Sequence, residues 1–571
     1  MLALIFAALL AAPARAAGVA ASTAPAPGVP ASTAPVTALS NTTAEIAEIH
    51  IHRLNVFDPA VPGEDWWPFY MADKIHVITQ ERVVRREMLI GPGDRYSALS
   101  ALQSERNLRS LGIFRKAEIH PVQRQDGKLD LDVRTQDSWT LNINLSAGTE
   151  GGQSFYSYGV AEDNLLGSGK SVSASHFQNG PIRGTSVGYD DSRVGGTRFH
   201  LTPSYAKTNQ GDLISTALYR PFFALETPYA LGTSWTRNVG ETTLYSAGDT
   251  LNKFFQRTQK VTATYGARLE PDDFFVQRVE AGWHFDKEQF AANADTLQLP
   301  VPADRTLSGP VVGYSWIQPR YIKETYINKM ERVEDFNLGN EFYAFGGYMS
   351  SELGADRDRW IFNALDQQGL FLGPGRFALG QIGAVGRVAG GHADNVLFFG
   401  NCNLFWKEDF LYPQTWVAHF ETNRGRNLDG ENQVILGGNT GLRGYKNYAF
   451  VGGKSALFNV ENRFFLPGEY FHLFRFGGAA FIETGSVVPE NIGVTWKRFN
   501  SDAGLGLRFA PTRSESGNIV RADLAYALNA GPGGSRWVVS IRGSQAFQIF
   551  NSSTKNIQES PSFQLLPPQS D

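Results

Sequence analysis

Several things are scarce in this chain. It holds one cysteine, Cys402, so no disulfide within the chain and no thiolate metal cluster can form. Its ten histidines show no H-E-x-x-H pair or other zinc-like spacing. Excess positive charge is also missing, with 52 Lys and Arg against 56 Asp and Glu, which argues against an electrostatic binder of nucleic acid. No segment beyond the N-terminus approaches the roughly 18 consecutive apolar residues of a membrane-spanning helix. Methionine is rare at 5 residues, whereas Gly (59), Phe (39), Tyr (20) and Trp (11) are plentiful. Glycine and aromatic enrichment across many short segments suits an all-β protein, and a membrane barrel with tight turns and aromatic girdles in particular.

The N-terminus reads MLALIFAALLAAPA before Ala14-Arg15-Ala16. An apolar core followed by small residues is the pattern of a secretory signal, expected to end at residue 16. As a membrane anchor it is too short for a bilayer of about 30 Å. Residues 17–44 are Ala, Pro, Ser and Thr without an aromatic; with little to bury, they are expected to be an extended linker. Residues 551–571 form a polar, Pro-containing tail.

Residues 45–136 read as a small α+β domain. A strand is expected over 46–56, then an insertion over 58–73 containing Pro59, Pro62, Pro68 and Trp66-Trp67, then a resumed strand over 74–78. A short helix over 81–89 and a longer one over 96–111 follow. The longer helix places Leu99, Leu102, Leu108 and Leu111 near one side, with Gly112 as its stop. Two strands surround the turn Gln125-Asp126-Gly127.

From 137 to 550 the pattern is β throughout. At about 25 residues per strand and connection this segment divides into roughly 16 strands. In 537–547, Trp537, Val539, Ile541 and Phe547 oppose Ser540, Arg542 and Ser544; in 456–464, Ala456, Phe458, Val460 and Phe464 oppose Asn459, Glu461 and Arg463. A soluble sandwich would turn the apolar face inward, a membrane barrel outward. Alternation alone does not choose. The export signal, the aromatic content and the unbroken run of strands favour the barrel.

Two strings resemble enzyme motifs. Gly184-Thr185-Ser186-Val187-Gly188 fits G-x-S-x-G, but no helix pattern follows, as a nucleophile elbow requires. Gly167-Ser168-Gly169-Lys170-Ser171 resembles the end of a phosphate loop, but Asn164 stands where the opening glycine belongs. Neither carries catalysis, and the chain reads as a non-enzyme with no cofactor.

The informative string is Gly437-Gly438-Asn439-Thr440-Gly441-Leu442-Arg443-Gly444-Tyr445. A tight, apolar loop with one arginine fits inside a lumen, where Arg443 needs a carboxylate because an unpaired buried charge is costly. Leu442-Arg443-Gly444-Tyr445 resembles the V-R-G-F/Y motif in the sixth extracellular loop of the BamA/TamA and two-partner-secretion superfamily of outer-membrane assembly factors and transporters. Phe481-Ile482-Glu483-Thr484-Gly485 resembles its F-x-D-x-G strand motif, with Glu for Asp. The segments 504–509, 521–526 and 162–169 resemble three further family stretches. Residues 93–94 and 105–114 are similar to a POTRA domain.

The resemblance implies a 16-stranded antiparallel transmembrane β-barrel in the outer membrane, with the loop joining strands 11 and 12 and one POTRA-like domain in the periplasm. It implies an ion pair between Arg443 and Glu483, with Glu461 as a second acceptor. By parity Phe481 shares the lumen face of Glu483, an aromatic for which the sequence supplies no role. The implied function is insertion of β-barrel proteins or translocation of polypeptides. The alternatives are a dedicated two-partner-type transporter and a passive porin-like channel. Implied partners are the outer-membrane bilayer, unfolded polypeptide clients, and periplasmic chaperones or accessory lipoproteins; no nucleic acid is expected.

Overall fold

The computed structural model describes residues 44–543, apart from 63, 151–152, 180–181, 270–274, 299, 331, 514–518 and 533–534. The expected signal, nearly all of the linker, and the tail lie outside the described residues.

The N-terminal domain runs β1 (Ile46–Leu54), α1 (Trp67–Ile75), α2 (Glu81–Glu87), α3 (Ala98–Ser110), β2 (Phe114–Gln123) and β3 (Leu129–Asp137). Its sheet has the order β1-β3-β2, with β1 parallel and β2 antiparallel to β3. Ile46, Val84, Leu108, Ile113, Leu131 and Val133 make the core under α2 and α3. Ser97 caps α3 by accepting the Ser100 N–H at 3.2 Å, one of the otherwise unpaired amides of a helix start. Its buried face is Ala98, Ala101, Gln103, Ser104, Glu105 and Leu108, and Leu99 is exposed. The expected leucine face is therefore rotated. Three polar residues take inner places: Ser104 accepts the Leu89 N–H and Glu105 that of Ile119, each at 2.9 Å, and Gln103 accepts the Leu225 N–H at 3.1 Å.

The strand expected over 74–78 is replaced by the end of α1. Pro68 starts that helix, where its missing N–H costs nothing. Phe69 and Ala72 then pack on one side, beside Val56, Phe57 and Leu473.

The rest of the described chain closes into one barrel, from Leu141–Glu150 to Trp537–Gly543, with antiparallel neighbours. It contains twenty-one strands, of which His200–Leu201 and Ser204–Thr208 share one place between Ile182–Asp191 and Asp212–Arg220. Twenty positions are thus occupied among the described residues, against the sixteen expected. The first strands explain the excess. Leu141–Glu150, Gln153–Glu162, Lys170–Asn179 and Ile182–Asp191 have 10 residues each and sit a short turn apart, so an average of about 25 residues per strand undercounts them. Five strands follow the glycine-rich loop, as expected: Lys454–Phe465, Phe474–Val488, Asn500–Pro511, Val520–Ala527 and Trp537–Gly543.

The barrel resolves which face is apolar. Leu505 and Leu507 point outward at 67% and 72% exposure, with Ile482 and Val539 also outward, while Glu461, Arg463, Arg508 and Asp523 are buried inside. At about 25 cal/mol per Å², so much outward apolar surface has a hydrocarbon solvent as its natural surroundings.

The domain docks on one end of the barrel. The turn 164–169 grips the segment before α2: Asn164 donates to the Thr79 hydroxyl at 2.8 Å, and the Gln80 N–H donates to the Gly167 carbonyl at 2.8 Å. Gly167 has φ +70°, and a Cβ there would lie 2.5 Å from the Ile78 carbonyl oxygen, so glycine is required. Further around the rim Glu87 meets Arg193 and Arg198. Arg109 forms a fork with Asp335 at 2.8 and 2.9 Å, and Lys323 reaches Glu105 at 2.6 Å.

Candidate functional site: a loop clamped inside the barrel

The loop between Gln414–Arg426 and Lys454–Phe465 folds back into the lumen. It is organised by its own hairpin, in which Val434–Leu436 pairs with Phe450–Gly452. Its tip bends through positive φ at Gly437 (128°), Gly438 (58°), Gly441 (105°) and Leu442 (61°), and all but the last carry no steric cost. Leu442 and Tyr445 are buried with Leu436, Ala449, Leu457 and Ala527. Gly444 presses on the wall: a Cβ there would sit 2.6 Å from the Asp502 Cβ and 3.0 Å from the Ala527 nitrogen. The Tyr445 hydroxyl donates to the Ser501 carbonyl at 2.9 Å.

This places Arg443, which is 2% exposed, against three carboxylates. Nε lies 2.9 Å from Glu483, Nη2 2.9 Å from Glu461, and Nη1 3.1 Å from Asp523. Its backbone N–H donates to the second Glu483 oxygen at 2.6 Å. The guanidinium carbon stands 3.3 Å from the centre of the Phe481 ring, so the inward aromatic is the surface on which the cation stacks. Only a planar group with several in-plane donors can do both at once, which excludes lysine as an equivalent.

The wall carries matching charge. Arg463 pairs with Glu461 at 2.8 Å; Arg508 and Arg521 pair with Asp523 at 2.5 and 3.2 Å. Asn459 donates to Glu483 at 2.9 Å. Asp502 lies opposite Glu483 on the next strand. Four arginines thus face four carboxylates, and one of the arginines belongs to the loop.

The root of the loop is tied to the opposite wall. Asp429 receives Arg387 at 2.7 and 2.8 Å, and Arg305 contacts Glu431, Glu288 and Asp429. Tyr448 stacks on Tyr245 with ring centres 3.8 Å apart. The loop therefore spans the lumen.

The structure brings Leu442, Arg443, Gly444, Tyr445, Glu483 and Glu461 into one place. Sequence reasoning missed Asp523 as an acceptor, although it lay on the charged face of its strand. It also missed Asp429, Glu431, Arg305 and Arg387, whose encounter depends on strands distant in sequence.

No family model matches the chain. Two curated proteins named outer membrane protein assembly factor BamA are similar to it. That of Neorickettsia risticii is 32% identical over 90 residues, 16% of this chain and 12% of the relative. That of Nitratidesulfovibrio vulgaris is 28% identical over 156 residues, 24% of this chain and 19% of the relative. The chain thus spans less than a fifth of either relative. Among solved structures, CdiB from Acinetobacter baumannii aligns over 87% of this chain and 73% of its own, at 14% identity and TM-score 0.47. BamA from Haemophilus ducreyi lacking POTRA domains 1-3 aligns over 87% and 84%, at 14% identity and TM-score 0.37. Over these short stretches the chain is similar to outer-membrane assembly factors of the BamA type.

Proposed function

We propose that the protein inserts β-barrel proteins into the outer membrane or passes polypeptide across it, without enzymatic chemistry, its N-terminal domain lying in the periplasm as a POTRA-like receiver. The observation that carries this reading is the lumen-spanning loop held by Arg443. A loop tied to both walls obstructs a passive pore, whereas a barrel that must keep its shape while one side opens needs an internal brace.

Two further features support it. The outer strands of the domain sheet, β1 and β2, lie at edges where an extended client can add a strand through backbone hydrogen bonds, with little demand on sequence. Glu105 already accepts the Ile119 N–H of β2, and residues 93–94 bond the N–H and carbonyl of Ile46 in β1, so each edge offers only part of its length. The barrel closes between Leu141–Glu150 and Trp537–Gly543. That seam between the first and last strands is where a client would enter the bilayer or pass outward.

A transporter dedicated to one secreted partner is the second reading, favoured by the docking of a single domain across the rim. Depletion of the protein followed by outer-membrane proteomics separates them. Broad loss of barrels indicates insertion, loss of one surface or secreted protein indicates the dedicated transporter, and an unchanged proteome and secretome contradicts both. Periplasmic chaperones and accessory lipoproteins are the expected further partners.

A further inference from the structure

The 58–75 segment carries an amphipathic helix turned the wrong way for a soluble domain. In α1 the inner side, Phe69 and Ala72, packs on Phe57 and on the rim of the barrel, where the Phe69 ring lies 6.3 Å from that of His472. The outer side is Trp66, Trp67, Tyr70 and Ile75, exposed by 59%, 69%, 64% and 68%, together with exposed Met71. The charge on that side is Lys74, whose ammonium lies 5.6 Å from the centre of the Tyr70 ring. Two tryptophans, a tyrosine and a lysine around an apolar stripe suit a bilayer interface, where rings sit at headgroup level and an ammonium reaches phosphate.

The place of the helix agrees with its chemistry. Glu64, just before it, is buried against Arg513 at 2.5 Å, and Arg513 also meets Glu469 at 3.1 Å. These contacts fix α1 beside the turns that end Lys454–Phe465 and Asn500–Pro511. From there an aromatic band continues up the outside of the barrel. Tyr470 touches Phe476 (5.3 Å between ring centres), and Phe509 touches both Phe474 (5.0 Å) and Phe476 (5.4 Å). Phe471 and, on the neighbouring turn, Phe410 and Leu411 are exposed at the same end. The inner side of α1 thus packs on the turn that leads into the lipid-facing band, and its apolar outer face lies at that end of the barrel.

We propose that α1 is an interfacial anchor lying in the phospholipid leaflet on the domain side of the membrane. It holds the domain to the bilayer beside the strands that lead to the seam. Its occupant is lipid: the helix packs on the turn that leads into the hydrocarbon-facing band, and its outer face carries a cation for the headgroup. The inference needs only a barrel in a bilayer and stands apart from which polypeptide the barrel handles.

The test uses the full chain with Cys402→Ser and Tyr70→Cys, labelled with an environment-sensitive fluorophore and reconstituted into phosphatidylethanolamine/phosphatidylglycerol vesicles. A label at Val122→Cys, exposed at the far end of β2, is the control, Trp67→Cys is a second site on the face, and heat-modifiable migration confirms each barrel. The expected result at both helix sites is quenching by lipids brominated near the carbonyl end of the acyl chain. Iodide quenching there is expected to be roughly threefold weaker than at the control. Iodide access equal to the control overturns the proposal. So does a label shielded from iodide yet unquenched by brominated lipid, since a protein surface, such as a second copy, would then cover the face.

Discussion

The molecule is fastened in two places, and the two fastenings differ in kind. Inside the barrel, Arg443 and its partners Glu461, Glu483 and Asp523 are at most 2% exposed at their side chains, and the cation also has an aromatic to stack on. At the rim, some of the pairs that hold the domain are reached by solvent, such as Arg109 with Asp335 and Lys323 with Glu105, beside the buried Glu64–Arg513 and Glu87 contacts. A dry network is strong when complete and costly when one member is lost; a wet pair contributes little and weakens with salt. The loop is therefore held more firmly than those rim pairs that solvent reaches.

The largest effect expected is that of Arg443→Ala. Removing one side of a buried ion network costs about 3–5 kcal/mol, concentrated at the loop, so the barrel should remain heat-modifiable while insertion or secretion is impaired. Exchanging the charges, Arg443→Glu with Glu483→Arg, should restore part of the activity, and no gain over Arg443→Glu alone would show that this contact is not the one that matters.

Next comes the junction between the two regions. Asp137 accepts both the amide (2.7 Å) and the hydroxyl (2.9 Å) of Thr79, yet burial pushes its carboxyl up to about 6. A raised carboxyl stabilises the docked state most below its unfolded value near 4, and that contribution is lost as pH rises through about 6. Burial also lowers the pKa of His76, 3.7 Å away, which acts in the opposite sense: its share is lost as pH falls through about 6.5. Asp137→Asn should thus protect the Thr79 amide from hydrogen exchange more than wild type at about pH 7.5, by on the order of 2 kcal/mol. The difference should vanish below about pH 4; an advantage that persisted there would assign the effect to something other than titration.

Phe481→Leu keeps the volume of the lumen face but removes the ring under Arg443. A partial defect of about 1 kcal/mol is expected, measured as a lower unfolding midpoint in detergent that high salt leaves unchanged. The smallest effect is at the rim. Arg109→Ala should cost less than about 1 kcal/mol and lengthen the distance, measured by electron spin resonance, from α3 to the barrel hairpin in which Tyr321–Glu324 pairs with Glu334–Asn337, and high salt should do the same to wild type. A rim variant as damaging as Arg443→Ala would break the contrast between the two regions.

Much of the site could be read from the chain because its parts are local. The tip 442–445 is contiguous, Glu461 follows from which face of its strand carries charge, and Glu483 was implied by the resemblance of 481–485 to a family strand motif. Asp523 obeys the same alternation, but its meeting with Arg443 depends on how far the loop reaches along the wall, which no local pattern encodes. Phe481 looked misplaced for the same reason, since the group that explains it arrives from another segment. Strand number was misjudged because turn length, unlike face alternation, leaves little trace in glycine-rich hairpins. In 58–75, the prolines suggested an irregular insertion, whereas Pro68 in fact begins a helix whose outward apolar face makes sense only beside the barrel rim.

The central claim is that the loop is a brace needed for polypeptide handling and not for the existence of the barrel. It is tested most directly by supplying Arg443→Ala to cells depleted of the wild-type protein, then comparing heat-modifiable barrel with the outer-membrane proteome and secretome. The account predicts a folded barrel at near-normal abundance that fails to restore the lost proteins. Full restoration by the variant would contradict it.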